Sequence, residues 1–152
     1  MKIIDEIDRK ILRVLQRNAS VGVDALADLV NLSRNACWRR MKNLEASGVI
    51  ARRVAILDPK AVGLGTTVFV IVRTNQHDEE WLKLFDSAVR ELPEIVGAYR
   101  MSGDLDYILR VRIEGVNEYD AFYKRLIKRV PLSYISASFV MDEIKDTTEL
   151  PI

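Results

Sequence analysis

Between Ser33 and Gly48 the chain carries Arg34, Asn35, Trp38, Arg39, Arg40 and Lys42, and no acid falls from Arg34 to Lys42. Guanidinium and ammonium groups bond phosphate oxygens, an Asn amide can pair with a base edge, and an indole can lie against a sugar or a base. The chemistry on offer is therefore nucleic-acid contact. Cys37, Met41 and Leu44 fall at i, i+4 and i+7, which puts them on one inward face of a helix. Arg34, Asn35, Trp38, Arg39 and Lys42 then share the opposite face, with Arg40 at its edge. Ser33 can cap the start by accepting a bond from a backbone N–H, and Gly48 stands where a helix ends in a left-handed residue. A basic helix face can also be merely solvated, so the preceding elements decide.

Ile4, Ile7, Ile11, Leu12 and Leu15 repeat at helical spacing and leave Arg9, Arg13 and Arg17 mostly outward. A shorter helix is expected from Val23 to Val30, with Gly22 as its N-cap and Leu26, Leu29 and Val30 inward. Asn31 and Leu32 make a short turn into Ser33. Two helices joined this closely cross steeply and free the second to enter a groove, the helix-turn-helix arrangement. After Gly48, Val49 to Leu57 reads as a short hairpin or wing with Arg52 and Arg53 at its tip, ended by Asp58-Pro59.

With 152 residues, about half apolar and 30% charged, the chain fits one ordinary domain or two small ones. Its one cysteine, Cys37, excludes an internal disulfide and a cysteine metal cluster, and as a small inward residue it reads as core. The one histidine, His77, leaves little for histidine catalysis or a metal site and is expected at the surface. The longest apolar run, Val68 to Val72, is far too short for a bilayer, and Met1 to Asp8 is acidic and short, unlike a signal peptide. A cytoplasmic protein with no metal is expected. The net charge of +1 hides an asymmetry: up to Asp58, counting Lys2, eleven Lys and Arg face seven Asp and Glu, whereas beyond it twelve face fifteen. A basic first domain, residues 1–60, is thus joined to an acidic second one, residues 61–152.

The second domain alternates strands and helices. Thr66 to Thr74 is β-rich, Asp78 to Leu92 places Trp81, Leu82, Phe85, Ala88, Val89 and Leu92 at helical spacing, and Pro93 stops that helix. Ile95 to Met101 and Tyr107 to Ile113 read as strands around a Ser102-Gly103-Asp104 turn, since Gly and Asp tolerate the positive φ of tight turns. Val116 to Val130 is a helix with Tyr119, Phe122, Tyr123, Leu126, Ile127 and Val130 inward. After Pro131, Ser133 to Met141 is the last strand, and the polar tail from Asp142 is expected over the surface. The order βαββαβ is the ferredoxin-like split βαβ, making the chain α+β: an N-terminal winged helix-turn-helix joined to a C-terminal ferredoxin-like domain. In the first strand Val68, Val70 and Val72 alternate with Phe69 and Ile71, so both faces of the sheet are apolar. Helices cover one face, and a two-fold mate is the simplest cover for the other, so at least a homodimer is expected.

The chain resembles the Lrp/AsnC family of bacterial and archaeal transcription regulators. The matching residues are Asp5-Glu6-Ile7-Asp8 with Ile11-Leu12, Leu26-Ala27, Leu32-Ser33, Arg40-Met41 with Leu44-Glu45, Gly48-Val49-Ile50, and Leu57-Asp58-Pro59 followed by Gly63-Leu64-Gly65. In the second half they are Leu92-Pro93-Glu94, Gly103-Asp104 with Asp106-Tyr107, Val130-Pro131, and Ile144-Lys145 near Leu150-Pro151. Gly22 departs from a frequent Ser, and Leu132 from a common Gly. The resemblance implies double-stranded DNA as partner through Ser33, Arg34, Asn35, Trp38, Arg39, Arg40, Lys42, Arg52 and Arg53. It also implies homodimers assembling into rings such as octamers, with no membrane partner. It further implies an amino-acid effector held between neighbouring subunits near Gly103, Asp104 and Asp106, with Ser136 and Ser138 as partners for polar ligand atoms, and no cofactor beyond that effector. The implied function is sequence-specific transcription regulation in which an effector rearranges the oligomer.

Two rivals stand beside this reading. Siroheme decarboxylases are similar in fold to this family, but their chemistry leans on histidines and arginines around a tetrapyrrole, and His77 is alone. An architectural DNA binder without effector is the other, against which the acids at the Gly103 turn argue.

Overall fold

A computed structural model describes residues 4–152 of the chain; Met1, Lys2 and Ile3 lie outside the described residues. The elements are α1 (Glu6–Arg17), α2 (Val23–Leu29), α3 (Arg34–Ala46), β1 (Thr66–Arg73), α4 (Glu79–Glu91), β2 (Ile95–Arg100), β3 (Tyr107–Ile113), α5 (Val116–Arg129) and β4 (Tyr134–Phe139). Contacts gather them into two compact units. One is the chain up to Ala55 together with Ile144–Ile152, and the other is Ile56–Glu143. The sequence puts the boundary at residue 60 and the tail with the second domain, whereas the tail packs with the first.

In the first unit α1 begins with a capping box: Asp5 accepts from the Asp8 N–H at 2.8 Å, and Asp8 accepts in return from the Asp5 N–H at 3.4 Å. Ile11, Leu12 and Leu15 of α1 meet Leu26, Ala27 and Val30, and Cys37, Met41 and Leu44 of α3 close the core. Burying each of the large ones contributes about 1.5–3 kcal/mol. Leu29, expected inward, is 63% exposed, and Ala27 takes the core position instead. Asn31, at φ 55°, supplies the left-handed residue that lets the chain reverse between α2 and α3. The tail is tied to α1. Gln16 donates to the Leu150 carbonyl and accepts from its N–H at 2.6 Å, Arg13 Nε donates to the Ile152 oxygen at 2.6 Å, and Arg17 pairs with Glu149 at 3.1 Å.

Residues 51–58 form no strand, contrary to the expected hairpin. A strand needs a hydrogen-bonded neighbour, and none of the described residues supplies one here. Val54, Ile56 and Leu57 are left exposed.

The second unit is one antiparallel sheet in the order β2-β3-β1-β4. Its inner face buries Val68, Val70 and Val72 beside Leu109 and Val111, against Trp81, Phe85 and Ala88 of α4 and Phe122 and Leu126 of α5. Trp81 stacks on Phe85 at 5.1 Å, and its indole N–H donates to the Pro131 carbonyl at 2.7 Å, which satisfies the one polar atom that a buried Trp carries. Leu82 and Ile127, expected inward, are 38% and 42% exposed, because the sheet accepts only a narrow stripe of each helix.

The outer face carries two rows fixed by register: Tyr99, Ile108, Ile71 and Ser136, then Gly97, Arg110, Phe69 and Ser138. At Gly97 a Cβ would stand 2.8 Å from the Tyr99 hydroxyl, so the glycine makes room for that ring. Phe69 is 39% exposed.

Candidate nucleic-acid interface and effector residues

Ser33 caps α3 by accepting from the Ala36 N–H at 3.3 Å, and Gly48, at φ 75°, ends the turn that follows it. Between them Cys37, Met41 and Leu44 anchor one face in the core, so the other must face out. Burial pushes the Cys37 thiol up, away from the reactive thiolate, in keeping with a core role. Arg34, Asn35, Trp38, Arg39 and Lys42 all lie exposed, and Trp38 is 52% so instead of packing beneath the segment that follows.

The basic residues are not equivalent. Arg40 Nη1 lies 2.7 Å from Asp5 and 2.8 Å from Asp8, so its charge is spent inside the unit, tying α3 to the start of α1. This explains why an arginine at the edge of the face sits opposite a paired acidic start. The Asp8 backbone N–H, and after it the Arg40 guanidinium, hold the Asp5 carboxyl below its ordinary value. Arg34 pairs with Asp24 at 2.9 Å, and Lys42 with Glu45 at 2.8 Å. Arg53, expected at a tip, instead reaches back to Glu45 at 3.0 Å and to the Ala19 carbonyl at 3.4 Å. The Lys42 ammonium, with burial opposing it, keeps the Glu45 carboxyl low, helped by Arg53. Arg39 and Arg52 have no ion-pair partner among the described residues.

In the second unit Gly103 adopts φ 104°, the positive φ expected of the turn between β2 and β3. Asp104 is exposed at that turn. Asp106 is half-buried and accepts from the Thr74 N–H at 2.9 Å, which ties the end of β1 to the root of β3. Its carboxylate thus has a structural bond that sequence reasoning missed, and no spacing signal could have shown it. Ser136 and Ser138 lie on the outer face of β4, paired in register with Ile71 and Phe69. β1 separates β4 from β3, so one chain does not bring these serines and the Gly103 turn together on adjacent strands. His77 is exposed, as expected. Among the described residues no group of His, Cys, Asp and Glu could hold a metal ion, and no helix is long and apolar enough to cross a membrane.

Comparison with known proteins agrees with this anatomy. Residues 4–51 match the family described as winged helix-turn-helix DNA-binding, and residues 67–150 match the Lrp/AsnC ligand binding domain. The chain is 47% identical over 150 residues to the DNA-binding transcriptional activator DecR of Escherichia coli K12, covering 98% of this chain and 99% of that protein. A crystal structure of an AsnC family transcriptional regulator from Agrobacterium tumefaciens superposes with a TM-score of 0.94 at 52% identity, covering 97% of each chain. A transcriptional regulator from Neisseria meningitidis, solved as a complex with L-Met, gives 0.93 at 33% identity over 98% of this chain and 97% of that one. Its helix-turn-helix, its sheet and its relatives agree that this chain belongs to the Lrp/AsnC family of DNA-binding transcription regulators, whose members regulate transcription instead of catalysing a reaction.

Proposed function

We propose that the chain contacts duplex DNA through the exposed face of α3, where Arg34, Arg39 and Lys42 bond phosphate and Asn35 and Trp38 meet base edges or sugars. Arg52 adds a phosphate contact from the segment after α3, and Arg53 does so once released from Glu45. The observation that carries this reading is the anchoring of α3 by three buried residues on one face while every basic side chain but Arg40 stays exposed on the other. Arg40 has a different task, holding the three-helix unit together, and Ser33 serves by capping α3.

The second domain senses an amino acid at the Gly103 turn, with Asp104 taking the ammonium group and Asp106 assisting from its anchored position. The L-Met complex of the Neisseria relative supports this ligand class. Ser136 and Ser138 act from another copy of the chain, since within one copy β1 intervenes. The apolar outer face around Phe69 and Ile71, and the unpaired stretch at Val54, Ile56 and Leu57, support a homodimer that assembles further, to an octamer. An effector that prefers one assembly geometry shifts the population toward it and changes how the recognition helices meet an operator. The regulator works in the cytoplasm, with the chromosome.

The test is fluorescence anisotropy on duplex DNA. Arg39→Ala should weaken binding to all sequences and reduce the slope of log affinity against log salt by about one, whereas Asn35→Ala should relax base preference. Unchanged binding by both variants would remove α3 from the interface.

A further inference from the structure

The acids around α3 call for an explanation that helix stability does not give. Glu45 is the one acid on α3 and sits in its last turn, where the helix dipole disfavours a negative charge. It is nevertheless bonded on both oxygens: Lys42 Nζ lies 2.8 Å from Oε2 and Arg53 Nη2 lies 3.0 Å from Oε1. Asp24, at the start of α2, similarly holds Arg34 Nε at 2.9 Å. Three cations of the basic face are therefore already neutralised in the free protein, and Arg39 and Arg52 are not.

Exposed pairs of this kind are weakly held, so a phosphate can displace the carboxylate. Displacement still has a cost, because the released acid is left facing the negative backbone. That cost falls on every duplex alike, since it arises from phosphate contacts that carry no sequence information. Contacts from Asn35 to base edges escape it. A penalty common to all duplexes cancels in the ratio of cognate to other DNA, so it lowers every affinity by the same factor and leaves discrimination to the base contacts.

We propose that Glu45, seconded by Asp24, limits the overall strength of DNA binding by standing in for phosphate: it holds Lys42 and Arg53, as Asp24 holds Arg34, and so weakens binding to every duplex, cognate or not. The inference rests on the reading of α3 as the DNA-contacting helix. Glu45 and Asp24 are affinity-limiting residues, and their removal strengthens binding instead of weakening it.

Glu45→Gln and Asp24→Asn keep side-chain size and remove the charge, and both positions reach solvent, so the fold survives; thermal melting monitors it. Anisotropy is read across a salt series on two probes, a mixed-sequence duplex and a duplex that the parent protein has selected from a random pool. Glu45→Gln should bind the mixed duplex about three- to tenfold more tightly at ~0.1 M salt. Its slope against log salt should steepen by up to about 0.9 for each cation released, two for Glu45→Gln and one for Asp24→Asn. The selected duplex should gain by the same factor, so the specificity ratio is unchanged. Glu45→Asp, which keeps the charge, should stay near the parent.

Unchanged affinity and slope for Glu45→Gln would overturn the proposal, and so would equal weakening on both duplexes, which would make Glu45 an organiser of its two cations. Arg39→Ala and Asn35→Ala run alongside separate the two readings. If Arg39→Ala and Asn35→Ala both leave binding unchanged, α3 is not the contact and both readings fall. If Arg39→Ala weakens binding while Glu45→Gln does nothing, only the affinity-limiting role falls.

Discussion

The basic face of α3 draws its contacts from adjacent turns of one helix, anchored by Cys37, Met41 and Leu44, so a single chain presents it complete. The proposed effector residues are dispersed: Gly103 and Asp104 in a turn, Asp106 at the root of β3, and Ser136 and Ser138 on β4 beyond β1. A helix gathers residues close in sequence on one face, whereas a sheet gathers residues far apart and exposes whatever its helices leave uncovered. On the proposed reading one surface is therefore a property of the chain, and the other would become a site only when a second copy supplied what the first lacks.

The largest expected effect breaks the second surface. Phe69→Lys with Ile71→Lys places two charges on the outer face of the sheet without touching the buried valines, and should convert the assembly to a monomer by light scattering. A mass unchanged from the parent would move the subunit interface elsewhere. Next comes Asp104→Asn, which keeps the turn and loses the charge. It should weaken effector binding on the order of ten- to hundredfold by calorimetry while leaving DNA affinity nearly intact. Equal effector affinity in parent and variant would reduce Gly103-Asp104 to a turn.

A smaller effect sharpens the distinction within the first unit. Arg40→Met should lower the melting temperature by about 4–8 °C and leave the salt slope of DNA binding unchanged, because its charge faces Asp5 and Asp8. The smallest is acid-dependent. The folded unit holds the Asp5 carboxyl below its ordinary value, chiefly through the Asp8 N–H and then through Arg40. Its contribution is therefore fully present above the ordinary carboxylate range and is lost as pH falls below about 4. In melts at decreasing pH, Arg40→Met should soften that acid loss without abolishing it, since the backbone bond remains.

Periodicity was enough to place the helices, strands and their order, because core positions repeat with the element: Cys37, Met41 and Leu44 in α3, and Tyr107, Leu109, Val111 and Ile113 in β3 are buried as their spacing requires. It failed where tertiary packing chooses among equally spaced apolar residues. Leu29, Leu82 and Ile127 fit the pattern and yet lie exposed, because the neighbouring element covers less than the whole stripe. The Val49 to Leu57 hairpin failed for another reason: a strand's hydrophobicity is visible in sequence and its partner is not. At the candidate sites, residue type revealed the basic face but not the partners that spend it. The pairing of Arg40 with Asp5 and Asp8 joins residues more than thirty positions apart, as does the Asp106 bond to Thr74. The docking of the tail on Gln16 spans 134 positions and leaves no periodic trace.

The most direct test of a DNA surface complete in one chain and an effector surface that is not is calorimetric titration of each protein amino acid into the parent and into the Phe69→Lys, Ile71→Lys monomer. The account predicts binding heat from the parent with at least one amino acid and none from the monomer, while the monomer still binds duplex DNA in a manner that depends on Arg39. Heat from the monomer at the parent's affinity would place the whole effector site within one chain and contradict it.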